Sequence, residues 1–428
     1  MHNLLRCRRG TAAFATVAAL IPLIGFVALG AEAGSWYVTK QHAQNAADSA
    51  AMSGALAIAN SDSQTYDYRG KEFGTLNGFS SNVAMTQGSY STGSGFQAGG
   101  APTNAVQAVV TQCQLQSLSR VVYRTNCTDA NGSHDRYVTI KAQAIALVSN
   151  PKELCGLGLG RYSGSGSPTS ALEYAGNETL SGNGCGFQSD NTVKYASAPS
   201  FSGTGWAVYA SSGCVNSGTC DPGVPYNYYM PPAANPLSKL DSEPFNTRTG
   251  NTKPCSGKCG RVTLNPNSTG AYGNLTVTTG DNVTFNAGTY FFYNAAININ
   301  GGTVNGTGVT LVLLGNSSLS ISGATVNLSA PTNNATYPDL SGVLIDDQAP
   351  NKSSNAVTVN GNGTVTLGGA MYFPNVDVTW SGNSKNANTS CTEVVANTLK
   401  IGGGASYFST ESCASGTVDK TQVVVLVK

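Results

Sequence analysis

An uncharged run, Thr11–Leu29 (TAAFATVAALIPLIGFVAL), constrains everything that follows it. Arg6, Arg8 and Arg9 stand before it, and the first acid after it is Glu32. At about 1.5 Å rise per residue, a helix over this run approaches the bilayer's ~30 Å apolar thickness. Continuation to Val38 adds length, and Trp36 and Tyr37 fall where an interfacial aromatic belt belongs. The flanking arginines predict a cytoplasmic N-terminus, with residues 39–428 on the far side of the membrane. A cleaved signal peptide is the rival reading, with Ala28, Gly30, Ala31, Ala33 and Gly34 as a small-residue site. The helical pattern runs on through that site, which favours a retained anchor.

Composition agrees with export. Only 11% of the 428 residues are charged and the net charge is +1, so the chain offers no basic field for nucleic acid. Of the eleven cysteines, Cys7 precedes the apolar run and is expected as a free thiol. The other ten follow it, an even number that suits an oxidising compartment. Neighbour pairing is the simplest arrangement: Cys113–Cys127, Cys155–Cys185, Cys214–Cys220, Cys255–Cys259 and Cys391–Cys413. A zinc site at Cys255 and Cys259 lacks a second ligand pair.

The chain divides into five stretches. Residues 1–59 are read as a cytoplasmic stub, a transmembrane helix and a stalk. Pro22 is expected to kink the helix. In the stalk Ala43, Ala46, Ala47, Ala50, Met52, Ala55 and Ala59 form a narrow stripe of small residues. That stripe suits packing on the chain's own domain or on a partner helix. Residues 60–150 read as a small α+β module. In it 60–103 is loop with short strands, 104–112 a strand, 115–123 a short helix, and 136–149 an alternating strand in which Val138, Ile140, Ala142, Ala144 and Ala146 share a face. Residues 151–220 are a Gly/Ser-rich, disulfide-bearing β region. Residues 221–262 are a Pro-rich linker, extended rather than helical. Residues 263–428 carry short alternating runs with Gly or Asn between them, which predicts a β-helix or solenoid, with VVVLVK as its last strand. A β-sandwich is the alternative. The expected fold class is therefore mainly β, with an N-terminal pilin-like transmembrane helix.

The stretch from Arg8 to Ala57 resembles the TadE/TadG-like proteins of bacterial tight-adherence (Flp) pilus systems. The carriers are the basic pair and Gly10 before the apolar helix, then Gly34-Ser35-Trp36-Tyr37, then Gln44-Asn45-Ala46-Ala47-Asp48-Ser49-Ala50-Ala51. KAQAIALV (141–148), GTYFF (288–292) and GAMYFPNVDVTWSGN (369–383) resemble segments of the larger TadG-type members. The resemblance implies a single-pass inner-membrane protein, periplasmic beyond residue 38, that serves pilus assembly and surface adherence without catalysis. Its implied partners are the membrane and other pilus-assembly proteins, met through the stalk. Gly10 is followed by Thr11-Ala12-Ala13-Phe14-Ala15, without the Glu that pilin-type members carry five residues past their cleavage Gly, so a permanent tether is expected. No Asp-x-Ser-x-Ser loop is present to hold a metal, and no cofactor is implied.

Sites for chemistry are sparse. G-x-S-x-G, H-E-x-x-H and Walker signatures are absent. His2, His42 and His134 are scattered, with His134 expected in a turn. The competing reading is an exported sugar-binding adhesin or carbohydrate-active β-helix enzyme, which needs paired carboxylates or a base with Arg or Lys along a groove. After Arg261 there is no arginine, and the acids are Asp281, Asp339, Asp346, Asp347, Asp377, Glu393, Glu411 and Asp419. Asp346 and Asp347 are adjacent and expected to end a strand at a turn. Tyr226, Tyr228 and Tyr229, with Tyr290, Phe291 and Phe292, are expected to pack inside. Non-reducing mass spectrometry tests the cysteine reading: at most one free thiol is expected among the ten beyond the apolar run.

Overall fold

One helix, α1, runs unbroken from Arg8 to Ala59 with Pro22 inside it. The computed structural model describes residues 8–427 apart from 61, 63, 80–81, 118, 120–124, 130–131, 151, 162–169, 217–219, 244, 246–247, 256, 268, 351–356, 362 and 383–390. Cys7 and His2 thus lie outside the described residues, as does most of the helix expected over 115–123. The two halves of α1 meet different surroundings. Over 15–42 no described side chain is buried, and Leu23, Phe26 and Val27 are all more than half exposed. From Ala43 onward one face is shut away: Ala43, Ala46, Ala47, Ala50, Ala51 and Ala55 are wholly buried.

That buried face lies on a five-stranded antiparallel sheet. Its order is 95–98, 83–91, 105–115, 137–149 and 423–426. Ala108, Ala142, Ala144 and Ala146 on the sheet meet the alanines of α1, with Val106, Val110 and Val148 beside them. Small side chains on both surfaces bring the backbones close. The small-residue stripe therefore packs on the chain's own sheet.

Three local expectations fail here. Residues 66–76, expected as loop, form a helix, α2 (Tyr66–Leu76), opened by Thr65, whose side chain accepts from the Tyr68 N–H. Gly70 and Gly74 hide it, since glycine weakens a helix. Both have packing reasons. A Cβ on Gly70 would meet Met85 at 2.2 Å, and one on Gly74 would meet Val83 at 2.5 Å. The terminal strand Val423–Leu426 pairs antiparallel with 146–149 of this first unit instead of closing the later β region. Val424 packs against the alanine cluster there. His134 lies in a short hairpin strand, Gly132–Asp135, instead of a turn.

The chain separates into two compact units, residues 1–149 with 423–428, and residues 150–422. The second unit is built almost wholly of parallel ladders. From Leu275 to Ser329 each strand pairs with the third one after it. Leu275–Thr278 meets Ala296–Asn300, which meets Ser318–Ser322. Asn282–Phe285 meets Thr303–Thr307. Gly288–Tyr293 meets Val309–Leu314, which meets Val343–Gln348. Thr364–Gly382 gathers three such ladders and pairs on with Thr392–Phe408. The earlier strands Glu153–Gly158 and Ser170–Gly182 then continue from Thr392–Phe408. Register stacks like on like, as where Val277, Ile299, Ile321, Val359, Trp380, Ile401, Tyr174 and Tyr195 form one buried column.

The Pro-rich stretch is more than extended chain. Residues Pro236–Ser242 form a 3₁₀ helix whose Asn235 side chain accepts from the Leu237 N–H. Leu237 and Leu240 are buried with Phe291, Val312, Tyr372 and Val395. The apolar spacing within PLSKL overrides the extended bias of proline.

The close fit on α1 makes a stability prediction. Ala50→Leu overpacks a fully buried site against the sheet, and such insertions cost roughly 1–3 kcal/mol. The full chain in micelles should unfold at a lower temperature by calorimetry, while the exposed Ser35→Ala should not shift it.

Candidate functional site

The exposed half of α1 is long and apolar enough to cross a membrane. Its acid is accommodated: Glu32 accepts from the Ser117 and Ser119 N–H groups at 2.8 and 3.0 Å and from the Ser119 hydroxyl at 2.9 Å. Lower on α1, Lys40 donates to the Lys141 carbonyl and Gln44 to that of Gln143 at 3.0 Å, fixing the helix along the 137–149 strand. His42 is exposed.

Ten cysteines are brought together in five disulfides: Cys113–Cys127, Cys155–Cys185, Cys214–Cys220, Cys255–Cys259 and Cys391–Cys413. Glu393 lies beside the last of these. Both sulfurs are bonded to each other there, so neither is a thiolate for a metal.

Asp346 and Asp347 do not end a strand at a turn. Both lie within Val343–Gln348, and both are buried. In the ladder Asp346 stands between Val312 and Tyr372, and Asp347 opposite Leu313. One Asp346 oxygen accepts from Gln348 Nε2 at 2.8 Å, and one Asp347 oxygen accepts from the Ala349 N–H at 3.0 Å. Among the described residues, Asp346 Oδ1 and Asp347 Oδ2 have no hydrogen-bond partner. Burial pushes Asp347 up to about 7 and Asp346 well above the usual carboxylate range.

A polar cavity of about 320 Å³ is lined by Arg161, Asp241, Asp347, Gln348, Ala349, Pro350, Pro374 and Asn375. Arg161 donates to Asp241 Oδ2 at 2.6 Å, and the Tyr372 hydroxyl donates to Asp241 Oδ1 at 2.8 Å. Gln348 Nε2 also donates to the Leu240 carbonyl at 3.0 Å, and Asn375 Nδ2 to that of Ala349 at 2.6 Å. A search for arginine confined to residues after 261 cannot find Arg161. It arrives from the strands that stack onto Thr392–Phe408, and no local pattern announces that.

The remaining acids serve other ends. Asp281 accepts from the Gly260 and Thr278 N–H groups, Asp377 from Asn397 and Thr398, and Asp339 pairs with Lys239 at 2.9 Å. Glu411 is exposed. Tyr290, Phe291 and Phe292 are wholly buried, as expected of core residues. Tyr226 and Tyr229 are not, being 44% and 81% exposed, the first in the short strand Tyr226–Tyr228 and the second just past its end. Tyr228 is half-buried and donates to the Cys220 carbonyl at 2.7 Å.

Glu393 and Asp419 form a second buried acid pair, with the Asp419 N–H donating to Glu393 Oε1 at 2.8 Å. Burial raises Glu393 to about 8, and burial with the neighbouring Glu393 raises Asp419 well above its usual range. These acids are held neutral in the fold and ionise when the chain opens. Above the unfolded carboxylate range near 4 the folded state therefore binds more protons, and stability falls as pH rises. The urea midpoint should drop between pH 5 and 8.5, and Glu393→Gln should flatten that fall.

Comparison with known proteins returns one family. Residues 10–57, nearly all of α1, match the TadE/G-like Flp pilus-assembly family. No curated protein and no solved structure matches the chain.

Proposed function

We propose that the chain is a single-pass, inner-membrane component of Flp pilus assembly that acts in surface adherence by binding and positioning, without catalysis. One observation carries this reading. The segment that matches the pilus-assembly family is a single helix with an unburied apolar half and an alanine-faced half fixed to its own sheet. A helix so divided leaves only its apolar half to be covered, and lipid covers it at least cost. Arg8 and Arg9 before the apolar half favour a cytoplasmic N-terminus, with residues 39–428 in the periplasm. Five disulfides suit that oxidising space.

The parallel ladders of the second unit are read as a β-helix. The pairing of each strand with the third after it supports this, because three strands then make one coil. Non-catalytic action is favoured by Asp346 and Asp347, which as strand neighbours point to opposite faces and so form no carboxylate pair across a cleft. Contacts with other pilus-assembly proteins would run through the exposed side of α1.

Fractionation with protease accessibility tests the proposal. The full chain should sediment with inner membranes and resist carbonate extraction. Protease should degrade residues 60–428 only after the outer membrane is opened. Leu23→Arg should release the chain from the membrane, given a cost of about 2.5–3.5 kcal/mol for Arg at a span's centre. A chain found soluble, or a deletion strain with normal piliation and adherence, would overturn the reading.

A further inference from the structure

Of the five disulfides, Cys391–Cys413 alone joins a buried cysteine to a half-buried one. Cys391 is 6% exposed, while Cys413 is partly open to solvent. Both members of Cys113–Cys127 and Cys155–Cys185 are buried, and both members of Cys214–Cys220 and Cys255–Cys259 are half-buried. A cavity of about 370 Å³ reaches Cys391 and Cys413, with Gly368, Gly369, Ser412 and Ala414 among its walls. A carboxylate oxygen of Glu393 lies within 4.8 Å of both sulfurs, and among the described residues no other disulfide has an acid so placed. Glu393 is wholly buried. Its Oε1 accepts from the Asp419 N–H, and its Oε2 meets no hydrogen-bond donor among the described residues. Packing does not ask for an acid there, since Val395, two residues on and on the same face of the strand, is apolar and buried.

Thiol–disulfide exchange needs one sulfur open to attack and another able to leave. A thiolate expelled into a buried site is poorly solvated, so an acid beside it eases its departure. Burial holds Glu393 at about 8, so it carries a proton at neutral pH, and Asp419 and Glu153 are the ionisable groups that act on it. We propose that Cys391–Cys413 is an exchangeable disulfide that oxidises a dithiol entering this cavity, with Glu393 as proton donor to Cys391. A thiolate of the dithiol attacks Cys413 Sγ and forms a mixed disulfide. The Cys391–Cys413 bond breaks and its electron pair leaves on Cys391 Sγ. That sulfur, freed to close the remaining distance, takes the Glu393 proton. The dithiol's second thiol loses its proton to water and attacks its own sulfur in the mixed disulfide, expelling Cys413, which water protonates. The dithiol ends as a disulfide and both cysteines end as thiols, while Glu393 recovers its proton from water. The proposal does not depend on the pilus reading.

Reduction of the full chain in detergent micelles tests it. The probes are dithiothreitol, a tetrapeptide with a cysteine at each end, and glutathione as a monothiol, each from about pH 6 to about pH 9.5. Alkylation stops the reaction, mass spectrometry reads each cysteine, and far-UV circular dichroism follows the fold. Cys391–Cys413 should be reduced about ten-fold or more faster than Cys113–Cys127 and Cys155–Cys185. Glutathione should be trapped on Cys413 and not on Cys391. The rate per reagent thiolate should fall above about pH 8, as Glu393 ionises. Glu393→Gln should be about ten-fold slower at neutral pH and lose that fall, with the other four disulfides unchanged. Reaction with dithiothreitol alone supports a small dithiol as substrate, and reaction with the tetrapeptide as well supports a peptide one. If Glu393→Gln does not fold, the pH profile of the unaltered chain decides. A flat profile, an unchanged rate in the folded variant, glutathione on Cys391, or Cys391–Cys413 left oxidised by both dithiols overturns the proposal.

Discussion

In the second unit, every strand from Leu275 to Gly382 finds its hydrogen-bond partners in strands remote in sequence, so one shared register fixes the whole. Slipping it by a residue would turn Val277, Ile299, Ile321 and Val359 outward and bring Thr276, Asn298, Ser320 and Thr358 in. The stacked apolar column resists this collectively. Each ladder step from Val277 to Val359 adds a Val or Ile to a column already dry, and the hydroxyl and amide residues between them keep the outer surface wet. Aromatic rings extend the column at one end, where Tyr174 and Tyr195 stack at 5.5 Å with planes 7° apart. Low charge follows from the same arrangement, since short polar side chains serve the outward positions of closely stacked parallel strands.

The first unit rests on a different constraint, close approach. Alanine faces alanine between α1 and its sheet, and glycine admits α2 against Met85 and Val83. Burying alanine yields little hydrophobic energy per residue. Yet the arrangement leaves the backbones near enough for Lys40 and Gln44 to reach carbonyls of the 137–149 strand. The helix is thus held by many small contacts and a few directed ones along one strand.

Much of this was legible from residues alone, and the parts that were not share a cause. The apolar run, the alanine stripe and the alternation in 137–149 are local, and periodicity reports them directly. α2 was obscured because glycine, penalised in a helix on its own, is required by its neighbour. Residues 236–242 were obscured because proline's extended bias spoke louder than Leu237 and Leu240, whose burial depends on Phe291 and Tyr372 far along the chain. The strand 423–426 resembles any closing strand; its partner in the first unit is a property of the whole topology. The polar cavity failed for the same reason, as Arg161, Asp241 and Asp347 meet only through ladders that join 153–158 to 392–408.

Asp347 shows why turn propensity misread this pair. Aspartate favours strand ends because water and backbone N–H groups satisfy it there. At Asp346 and Asp347 the strand instead continues to Gln348, and the only local donors are Gln348 Nε2 and the Ala349 N–H. Each carboxyl therefore keeps one oxygen unsatisfied, and burial holds it in its neutral form. For Asp346 this is tolerable beside Leu240, whose carbonyl takes the other Gln348 hydrogen bond. Asp347 shares the inward face of Leu313 and Phe292, where only its neutral form is tolerated. Packing alone would place a leucine at that position, as it does at 313 in the neighbouring strand.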